Sequence, residues 1–231
     1  MKVIVSIGGS VLAPEVGSER VGAYADAIES LSDAGHELGI VVGGGPTARE
    51  YIGAARDLGA DEMELDNLGI AVTRLNARLL IAALDNRAAP TPPTDHETAL
   101  EAFRHDDIPV MGGTVAGHTT DAVATGLAEY VDADLLVYAT SVPGVFDADP
   151  NEDPEATKYD SLSASELLDV VSGIDLDAGS NAPVDLLATK LLERSGLAAV
   201  VIDGSDPEGL ASAIDGDHSG TDIVPDSTEH R

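Results

Sequence analysis

The sequence contains no cysteine among its 231 residues. This absence excludes disulfide bonds, thiolate catalysis and zinc sites built on thiolates. The sequence also lacks a run of roughly 20 apolar residues, the length that a membrane-spanning helix requires. No N-terminal segment combines a basic start, an apolar stretch and a cleavage site, so we expect a cytoplasmic protein that does not bind membranes.

Cations are also scarce, because 12 Lys and Arg stand against 42 Asp and Glu, which gives a formal net charge of −30. Only three of the cations are lysines, namely Lys2, Lys158 and Lys190. Such a surface repels nucleic acids and anionic membranes, so neither is an expected partner. Concentrated salt screens the self-repulsion, and we therefore interpret the charge as adaptation to a salt-rich cytoplasm. The alternative is an ordinary acidic protein from a mesophile.

Strands and helices alternate along the chain, a pattern that predicts an α/β fold with a mostly parallel sheet covered on both faces. Hydrophobic residues make up 43% of the sequence, enough for a sizeable core. We expect a single domain, 1–231, with a frayed tail at 226–231. The predicted strands are Lys2–Ile7, Leu38–Val42, Ile108–Met111, Leu135–Tyr138, Ala198–Ile202 and, at an edge of the sheet, Asp222–Val224. The predicted helices are Val21–Leu31, Pro46–Leu58, Asp61–Asp85 (with Ile70, Leu75, Leu79 and Leu80 buried), Asp121–Tyr130, Ala164–Val171, Val184–Ser195 and Pro207–Ile214.

Three glycine clusters follow predicted strands: Gly8-Gly9-Ser10, Gly43-Gly44-Gly45 and Gly112-Gly113-Thr114. Ligands of parallel α/β sheets bind beyond the carboxyl ends of the strands. Glycine suits such loops because a side chain would keep phosphate oxygens away from the backbone N–H groups. One glycine pair would indicate only a tight turn, but three at strand ends predict a site for phosphorylated ligands. Neither a GxxxxGK[ST] P-loop nor a GxGxxG dinucleotide fingerprint is present.

The motifs in and around these loops resemble those of the archaeal uridylate (UMP) kinases of the amino-acid-kinase superfamily. The similar segments are IGGSVL at 7–12, VVGGG at 41–45 with AREY at 48–51, PVMGGTVAGHTTDAVA at 109–124, ADLLVYATSVPGVFDADP at 133–150 and GDHSGT at 216–221. They cover nearly the whole chain in order. The GGTxxGHTTDAVA element is the specific signal, whereas IGGS alone is weak.

The resemblance implies a three-layer α/β/α sandwich with an acceptor lobe at 1–132 and an ATP lobe at 133–225. It also implies transfer of the γ-phosphoryl group of ATP, with Mg²⁺, to UMP, and assembly as a hexamer built from dimers. By motif position, UMP would contact Gly44, Asp66 and the loop Thr114, Val115, Ala116, Gly117, His118, Thr119 and Thr120. ATP would contact Gly9, Ser10, Gly45, Arg49, Thr140, Phe146 and Asp149.

One position departs from the pattern of the superfamily. Many relatives have a lysine two residues before the first glycine pair, where this chain has Ser6. Another cation must replace it, and Lys190 matches a C-terminal lysine that some relatives direct at the phosphates. Asp185 would orient this lysine or the metal ion. The alternative for Lys190 is an exposed helix lysine with acidic neighbours.

Several of these residues also allow a purely structural interpretation. Asp66 would then be a solvated residue of an acidic helix, Thr119–Asp121 an N-cap and Phe146 a core residue. Asp149 would belong to the general surplus of acids. For Arg49 we favour a catalytic or binding role, because a cation near the start of a helix opposes the helix dipole unless a phosphate lies between them.

The chemistry requires few specialised side chains. A phosphate oxygen of UMP is already ionised near neutral pH, so the attack needs no general base. Catalysis would bring two anions into line and neutralise the charge on the transferring group, using Arg49, one lysine and backbone N–H groups. Mg²⁺ would be held largely by the nucleotide rather than by a dedicated protein site.

Two other functions remain open at the level of sequence. One is another kinase of this fold, which would act on carbamate, an amino acid or isopentenyl phosphate. The other is a non-catalytic nucleotide-binding or storage protein on the same scaffold. The GHTTDAVA segment argues against both, because it matches the acceptor loop of the uridylate kinases.

Dialysis from concentrated KCl into low salt should unfold or dissociate the protein, because the acidic surface then repels itself without screening. Circular dichroism and gel filtration across a KCl series would show the loss of structure. Full retention of structure and activity at low salt would contradict the interpretation of the charge as salt adaptation.

Overall fold

A seven-stranded sheet runs through the centre of the protein in a computed structural model that describes residues 1–85, 87–150, 153–174 and 184–226. The order of the strands is β3-β2-β1-β4-β6-β7-β5. All neighbouring strands are parallel except β6 and β7, which are antiparallel. The strands are β1 (Lys2–Ile7), β2 (Glu37–Val42), β3 (Val110–Met111), β4 (Leu135–Thr140), β5 (Ser161–Ser163), β6 (Ala199–Asp203) and β7 (Thr221–Val224).

Helices cover both faces of this sheet. Those in the described residues are α1 (Gly9–Leu12), α2 (Glu19–Asp33), α3 (Gly45–Asp57), α4 (Glu62–Ala83), α5 (His96–Arg104), α6 (Thr120–Tyr130), α7 (Ala164–Ile174), α8 (Leu186–Ser195) and α9 (Gly209–Asp215). Helices α1, α2, α4 and α9 share the core of one face, while α5 to α8 share the core of the other. The expected three-layer α/β/α sandwich is therefore confirmed.

Side chains of β1 show how one strand serves both cores. Val3, Val5 and Ile7 pack with the first group of helices, while Ile4 packs with the second. A strand covered on both faces is apolar nearly throughout, which explains its continuous hydrophobic run. Ser6 is the exception, and it lies on the face of Ile4 near the carboxyl end of the strand.

The far end of the sheet differs from the prediction. Strand β7 was expected at an edge, as Asp222–Val224, but it lies between β6 and β5. The three-residue strand β5 forms that edge instead, and it is too short to show an alternating pattern in the sequence. Helix α5 was also not predicted, because a nine-residue helix whose buried residues are two alanines gives little periodic signal.

The burial prediction for α4 is only partly correct. Leu80 is fully buried and Ile70 partly so, but Leu75 and Leu79 are 61% and 37% exposed. The buried stripe of the helix instead follows other positions at three- and four-residue spacing, namely Leu65, Val72, Thr73, Asn76, Ala77 and Leu80. Two large leucines thus remain on the surface of this helix.

The predicted frayed tail at 226–231 lies outside the described residues except for its first member. Asp226 accepts hydrogen bonds from the backbone and the hydroxyl group of Ser165, the latter at 2.6 Å. The chain is therefore attached to α7 at this point, and the frayed tail beyond it stays a prediction.

The first two glycine loops touch each other through their backbones. A Cβ atom added to Gly9 would lie 2.1 Å from the nitrogen of Gly45 and 2.5 Å from the carbonyl carbon of Gly43. One added to Gly45, whose φ is +63°, would lie 2.4 Å from the carbonyl oxygen of Gly9. Because real Cβ atoms do not approach so closely, the two loops can meet only if both residues are glycine.

Substitution of Gly9 tests this contact. Gly9→Ala should lower the free energy of unfolding by about 2 kcal/mol or more, because the backbones must move apart to admit the methyl group. Gly22→Ala is the matched control, since Gly22 lies inside α2 with no atom within 4 Å of an added Cβ. This control should stabilise the helix by about 0.5–1 kcal/mol. Denaturant unfolding followed by circular dichroism in concentrated KCl measures both, and equal stability of the two variants would contradict the prediction.

Candidate functional site

The loops after β1, β2 and β3 meet at one edge of the sheet, where a cavity of about 270 Å³ lies against α3 and α4. Of the residues predicted to contact UMP, all except Thr114 line this cavity, including the whole segment 115–120. Gly45 and Arg49, which were predicted to contact ATP, also line it. The fold therefore brings eight of the nine residues predicted for UMP, and two of the seven predicted for ATP, to one cavity.

Asp66 and Thr73 of α4 hold the 113–120 loop at two points. The N–H group of Gly117 donates to the Asp66 carboxylate, and that of Gly113 donates to the Thr73 hydroxyl, each at 2.7 Å. Gly117 has a φ of +81°, a left-handed conformation that other residues rarely adopt. Asp66 is exposed to solvent, but it also fixes the loop across the cavity.

Asn76 of the same helix binds the second glycine loop. Its Nδ2 atom donates to the carbonyl oxygens of Gly43 at 2.8 Å and Gly44 at 3.3 Å. Asn76 and Thr73 are only 6% and 7% exposed. The sequence analysis missed both, although a polar residue in an apolar helical stripe is a usable signal, since buried polar groups need partners.

Arg49 connects α3 to the first glycine loop. Its Nη2 atom donates to the hydroxyl oxygen of Ser10 at 3.2 Å, and Ser10 follows the close contact between Gly9 and Gly45. Helix α3 begins without a side-chain cap, and among the described residues the N–H groups of Gly45 and Thr47 in its first turn have no protein acceptor, so they are available to an anion. Among the described residues no carboxylate forms an ion pair with Arg49, so its charge is also available.

The 113–120 loop offers a second group of N–H donors. Within the described part of the chain, those of Thr114, Val115 and Ala116 donate to no protein acceptor. Helix α6 begins directly after this loop, and its positive end adds to the attraction for anions. Free N–H groups beside a helix N-terminus are a typical phosphate-binding arrangement.

Asp121 lies in the first turn of α6, beneath this loop. The hydroxyl group of Ser6 donates to its carboxylate at 2.9 Å. Burial of the carboxyl group raises the pKa of Asp121 from 3.8 to about 7, the Ser6 hydrogen bond lowers it, and the nearby Asp185 raises it. The sequence analysis gave Asp121 only a role in capping, and the N-cap proves to be Thr119, whose hydroxyl accepts from the N–H of Ala122 at 3.1 Å.

Asp185 joins the 113–120 loop to α8. One carboxylate oxygen accepts from the N–H groups of Leu187 and Ala188 and caps the helix, while the other accepts from the hydroxyl of Thr119. These contacts engage both oxygens without Lys190. Lys190 is exposed on α8 and forms no hydrogen bond or ion pair with the described residues.

The residues predicted to contact the base and ribose of ATP follow β4, on the other side of β1. Thr140 ends β4, and its hydroxyl group donates to the carbonyl oxygen of Val142 at 2.9 Å. Phe146 is partly buried and faces Lys158 in an isolated antiparallel bridge, and Asp149 is partly buried three residues later. None of the three lines the cavity beside α4, so the structure does not bring them to that cavity.

Lys158 is a cation of this region that the sequence analysis did not place in the site. Its Nζ atom donates to the carbonyl oxygens of Ser219 and Gly220. Its side chain also passes Gly144, where an added Cβ would lie 2.9 Å from Cδ of Lys158. The lysine therefore links the loop after β4 to the GDHSGT segment, two pieces of sequence that resemble the same family.

A mostly parallel α/β sheet with two touching glycine loops and free N–H groups beside them is an arrangement typical of phosphate-binding α/β proteins. The chain belongs to the amino acid kinase family, whose sequence profile matches residues 1–203. The resemblance inferred from the motifs is thereby confirmed.

Relatives within this family cover nearly the whole chain. A uridylate kinase of Haloarcula marismortui is 65% identical over 228 residues, which are 98% of this chain and 100% of that protein. A uridylate kinase of Halobacterium salinarum is 61% identical over 100% of this chain and 96% of that protein. The crystal structure of uridylate kinase from Archaeoglobus fulgidus superposes with a TM-score of 0.88, at 47% identity, covering 97% of this chain and 100% of that one.

Asp121→Asn tests the burial of this carboxyl group. A raised folded-state pKa means that the native protein holds the proton more tightly than the unfolded chain, so the free energy of unfolding falls as pH rises from about 4 to about 7. The amide keeps an acceptor for Ser6 and removes the titration. The variant should therefore lose this pH dependence and be the more stable protein at pH 8.

Asp95→Asn is the control for this prediction. Asp95 caps α5, and hydrogen bonds from Thr98 lower its pKa below 3.8, so its titration lies under the tested range. Urea unfolding at several pH values between about 5 and 8 gives the free energy of unfolding as a function of pH. Its slope against pH should be that of the wild type in Asp95→Asn and flatter in Asp121→Asn. Identical slopes in both variants would rule out a buried, titrating Asp121.

Proposed function

We propose that this protein is a uridylate kinase that transfers the γ-phosphoryl group of ATP to UMP, giving UDP and ADP for pyrimidine nucleotide biosynthesis. The observation that carries the proposal is the cavity beside α4, where a loop with free N–H groups faces Arg49 and the touching glycine loops. The uridylate kinases that resemble the chain over nearly its full length support the same reaction. No observation favours a carbamate, amino-acid or isopentenyl phosphate kinase, or a storage protein.

UMP is assigned to the acceptor side, 1–132. We assign its contacts to Gly44, Asp66 and the loop from Thr114 to Thr120, where the N–H groups of Thr114, Val115 and Ala116 have no protein acceptor in the described chain. The loop suits this role because α4 holds it at Gly113 and Gly117, while the three residues between them keep unused donors in the described chain. N–H donors that are already oriented toward an anion need little reorganisation when it binds. They also stabilise the negative charge that develops during transfer.

ATP is assigned to the side formed by 133–225 together with the first two glycine loops. Its phosphates would lie against Gly9, Ser10, Gly45 and Arg49, which are in mutual contact or joined by a hydrogen bond. Its base and ribose would lie along the β4 side, near Thr140, Phe146 and Asp149. Lys158 supports this assignment, because it joins the loop after β4 to the segment at 216–221 on the same side of the sheet.

Lys190 and Asp185 remain part of the proposed catalytic group. The support for Asp185 is its bond to Thr119, which ties the acceptor loop to α8 of the ATP side. The support for Lys190 is its place on the same helix and the absence of a competing carboxylate partner among the described residues.

The chain's own groups suffice for the transfer without a general base. A phosphate monoester has its second pKa near 6, so a UMP oxygen is ionised and nucleophilic at neutral pH. The protein aligns it with the γ-phosphorus and offsets negative charge with Arg49 and two sets of backbone N–H groups. We take Mg²⁺ to enter as Mg·ATP, because no group of three or more acidic or histidine side chains in the described residues could hold a metal ion.

A homo-oligomer, a hexamer built from dimers, is also part of the proposal. Its support is the set of large apolar side chains that the described chain leaves exposed on α3 and α4. These are Tyr51, Leu58, Met63, Leu75 and Leu79.

Within the described residues no helix is long and apolar enough to cross a membrane. We propose a cytoplasmic, salt-adapted enzyme, in line with the charge and with relatives from Haloarcula and Halobacterium.

A panel of acceptors tests the function directly. Mg·ATP-dependent phosphorylation of UMP, CMP, dUMP, AMP and carbamate would be measured in concentrated KCl by product chromatography. We expect rapid UDP formation and little product from AMP or carbamate. Transfer to carbamate in preference to UMP, or ATP binding without transfer to any acceptor, would contradict the proposal.

A further inference from the structure

Asn76 is a buried residue in the middle of α4, behind the lining of the cavity. Its Nδ2 atom donates to two consecutive carbonyl oxygens of the second glycine loop, at 2.8 Å to Gly43 and 3.3 Å to Gly44. A buried amide needs hydrogen-bond partners, and the two carbonyls supply them. The side chain therefore binds the backbone of the loop and leaves the cavity to a ligand.

The two carbonyl groups determine the direction of the neighbouring donors. In a trans peptide the C=O and N–H bonds point in opposite directions. The carbonyls of Gly43 and Gly44 point toward Asn76. The N–H groups of the same two peptides, which belong to Gly44 and Gly45, therefore point away from it. Both glycines line the cavity, and within the described chain neither of these N–H groups has a protein acceptor.

The second glycine loop is held on two sides. Its backbone packs against the first glycine loop, since a Cβ atom added to Gly43 would lie 2.5 Å from the nitrogen of Gly9. In the described chain Asn76 is the one side chain that donates to its carbonyls, and the N–H of Ala48 is a further donor, at 3.3 Å from the oxygen of Gly44. Removal of the amide would therefore free the loop to rotate on the side of α4.

The peptide group between Gly44 and Gly45 has a special place in the proposed reaction. Gly44 is assigned to UMP and Gly45 to ATP, so this peptide lies where the phosphate groups of the two ligands would meet. Arg49 lines the same cavity one helical turn later and adds positive charge. A rotation of the loop would change the alignment of the two phosphates as well as the binding of each.

We propose that Asn76 is a positioning residue for phosphoryl transfer, which presets the N–H groups of Gly44 and Gly45 to bind the phosphate groups of the two substrates. This inference rests on the proposed function. Without the amide, the loop must be ordered when the substrates bind, and the cost is taken from the binding energy. The loss falls on the phosphate groups and on kcat, and the nucleoside part of UMP keeps its contacts.

Asn76→Leu tests the proposal, because leucine has the same branching as asparagine but no hydrogen-bond donor. We expect kcat/KM for UMP and for ATP each to fall about tenfold or more, with part of the loss in kcat, since two backbone carbonyls lose their buried donor. Uridine lacks the phosphate group, so its inhibition constant against UMP should stay within about twofold of the wild-type value.

Lys2→Met is the matched control. Lys2 also donates to a backbone carbonyl, that of Val131 at 3.0 Å, but it does so at the amino end of β1, away from the cavity. This variant should keep the wild-type kinetic constants for both substrates. Thermal unfolding in concentrated KCl checks that each variant is folded.

If Asn76→Leu does not fold, Asn76→Ser carries the test, because its shorter side chain does not reach the loop and the same kinetic losses are expected. Wild-type kinetics in a folded Asn76 variant would overturn the role of Asn76 while leaving the kinase assignment intact. An equal loss of affinity for uridine and for UMP would overturn it as well, because the defect would then extend beyond the phosphate group. A wild-type protein that forms no UDP would overturn both the role of Asn76 and the proposed function.

Discussion

The contact between the backbones of Gly9 and Gly45 sets the geometry of the carboxyl edge of the sheet. Strands β1 and β2 are parallel neighbours, and their loops can converge only because neither residue carries a side chain. The convergence places Ser10 within reach of Arg49 and starts α3 beside the cavity. Two glycine loops become adjacent in this way, and the proposed transfer of a phosphoryl group between two bound ligands requires such an arrangement.

Helix α4 supplies the second constraint, because it attaches separate loops to one rigid element. Asn76 holds the carbonyls of the second glycine loop, while Asp66, Thr73 and Arg74 hold the 113–120 loop. These bonds are made to backbone groups and not to ligand. The positions of the donors that remain free are therefore determined before a substrate arrives, which is the physical meaning of preorganisation in this protein.

The proposed reaction requires a chain with a net charge of −30 to bind two polyanions. In the proposal no cluster of lysines is needed, because backbone N–H groups and helix N-termini act together with a few arginines that have no acidic partner among the described residues. Arg49 lines the cavity, and Arg74 binds carbonyl groups of the loop beside it. The positive potential is thus local, and the surrounding surface keeps the acidity that suits concentrated salt.

Much of this could be predicted from the sequence, because apolar runs and glycine clusters mark strands and the loops that follow them. The sandwich and the convergence of Gly44, Asp66 and the 113–120 loop are of this kind. The sequence did not reveal the place of β7 or the exposure of Leu75, since strand order and helix rotation depend on long-range packing. Nor did it reveal Arg74 or Lys158, because a side chain that binds backbone carbonyls leaves no motif.

A crystal structure of the protein with UMP bound tests the central claim most directly. The account predicts that UMP lies in the cavity beside α4, with polar atoms of UMP about 3 Å from backbone nitrogens of the 113–120 loop. UMP bound outside this cavity, with the free N–H groups of the loop left unused, would contradict it.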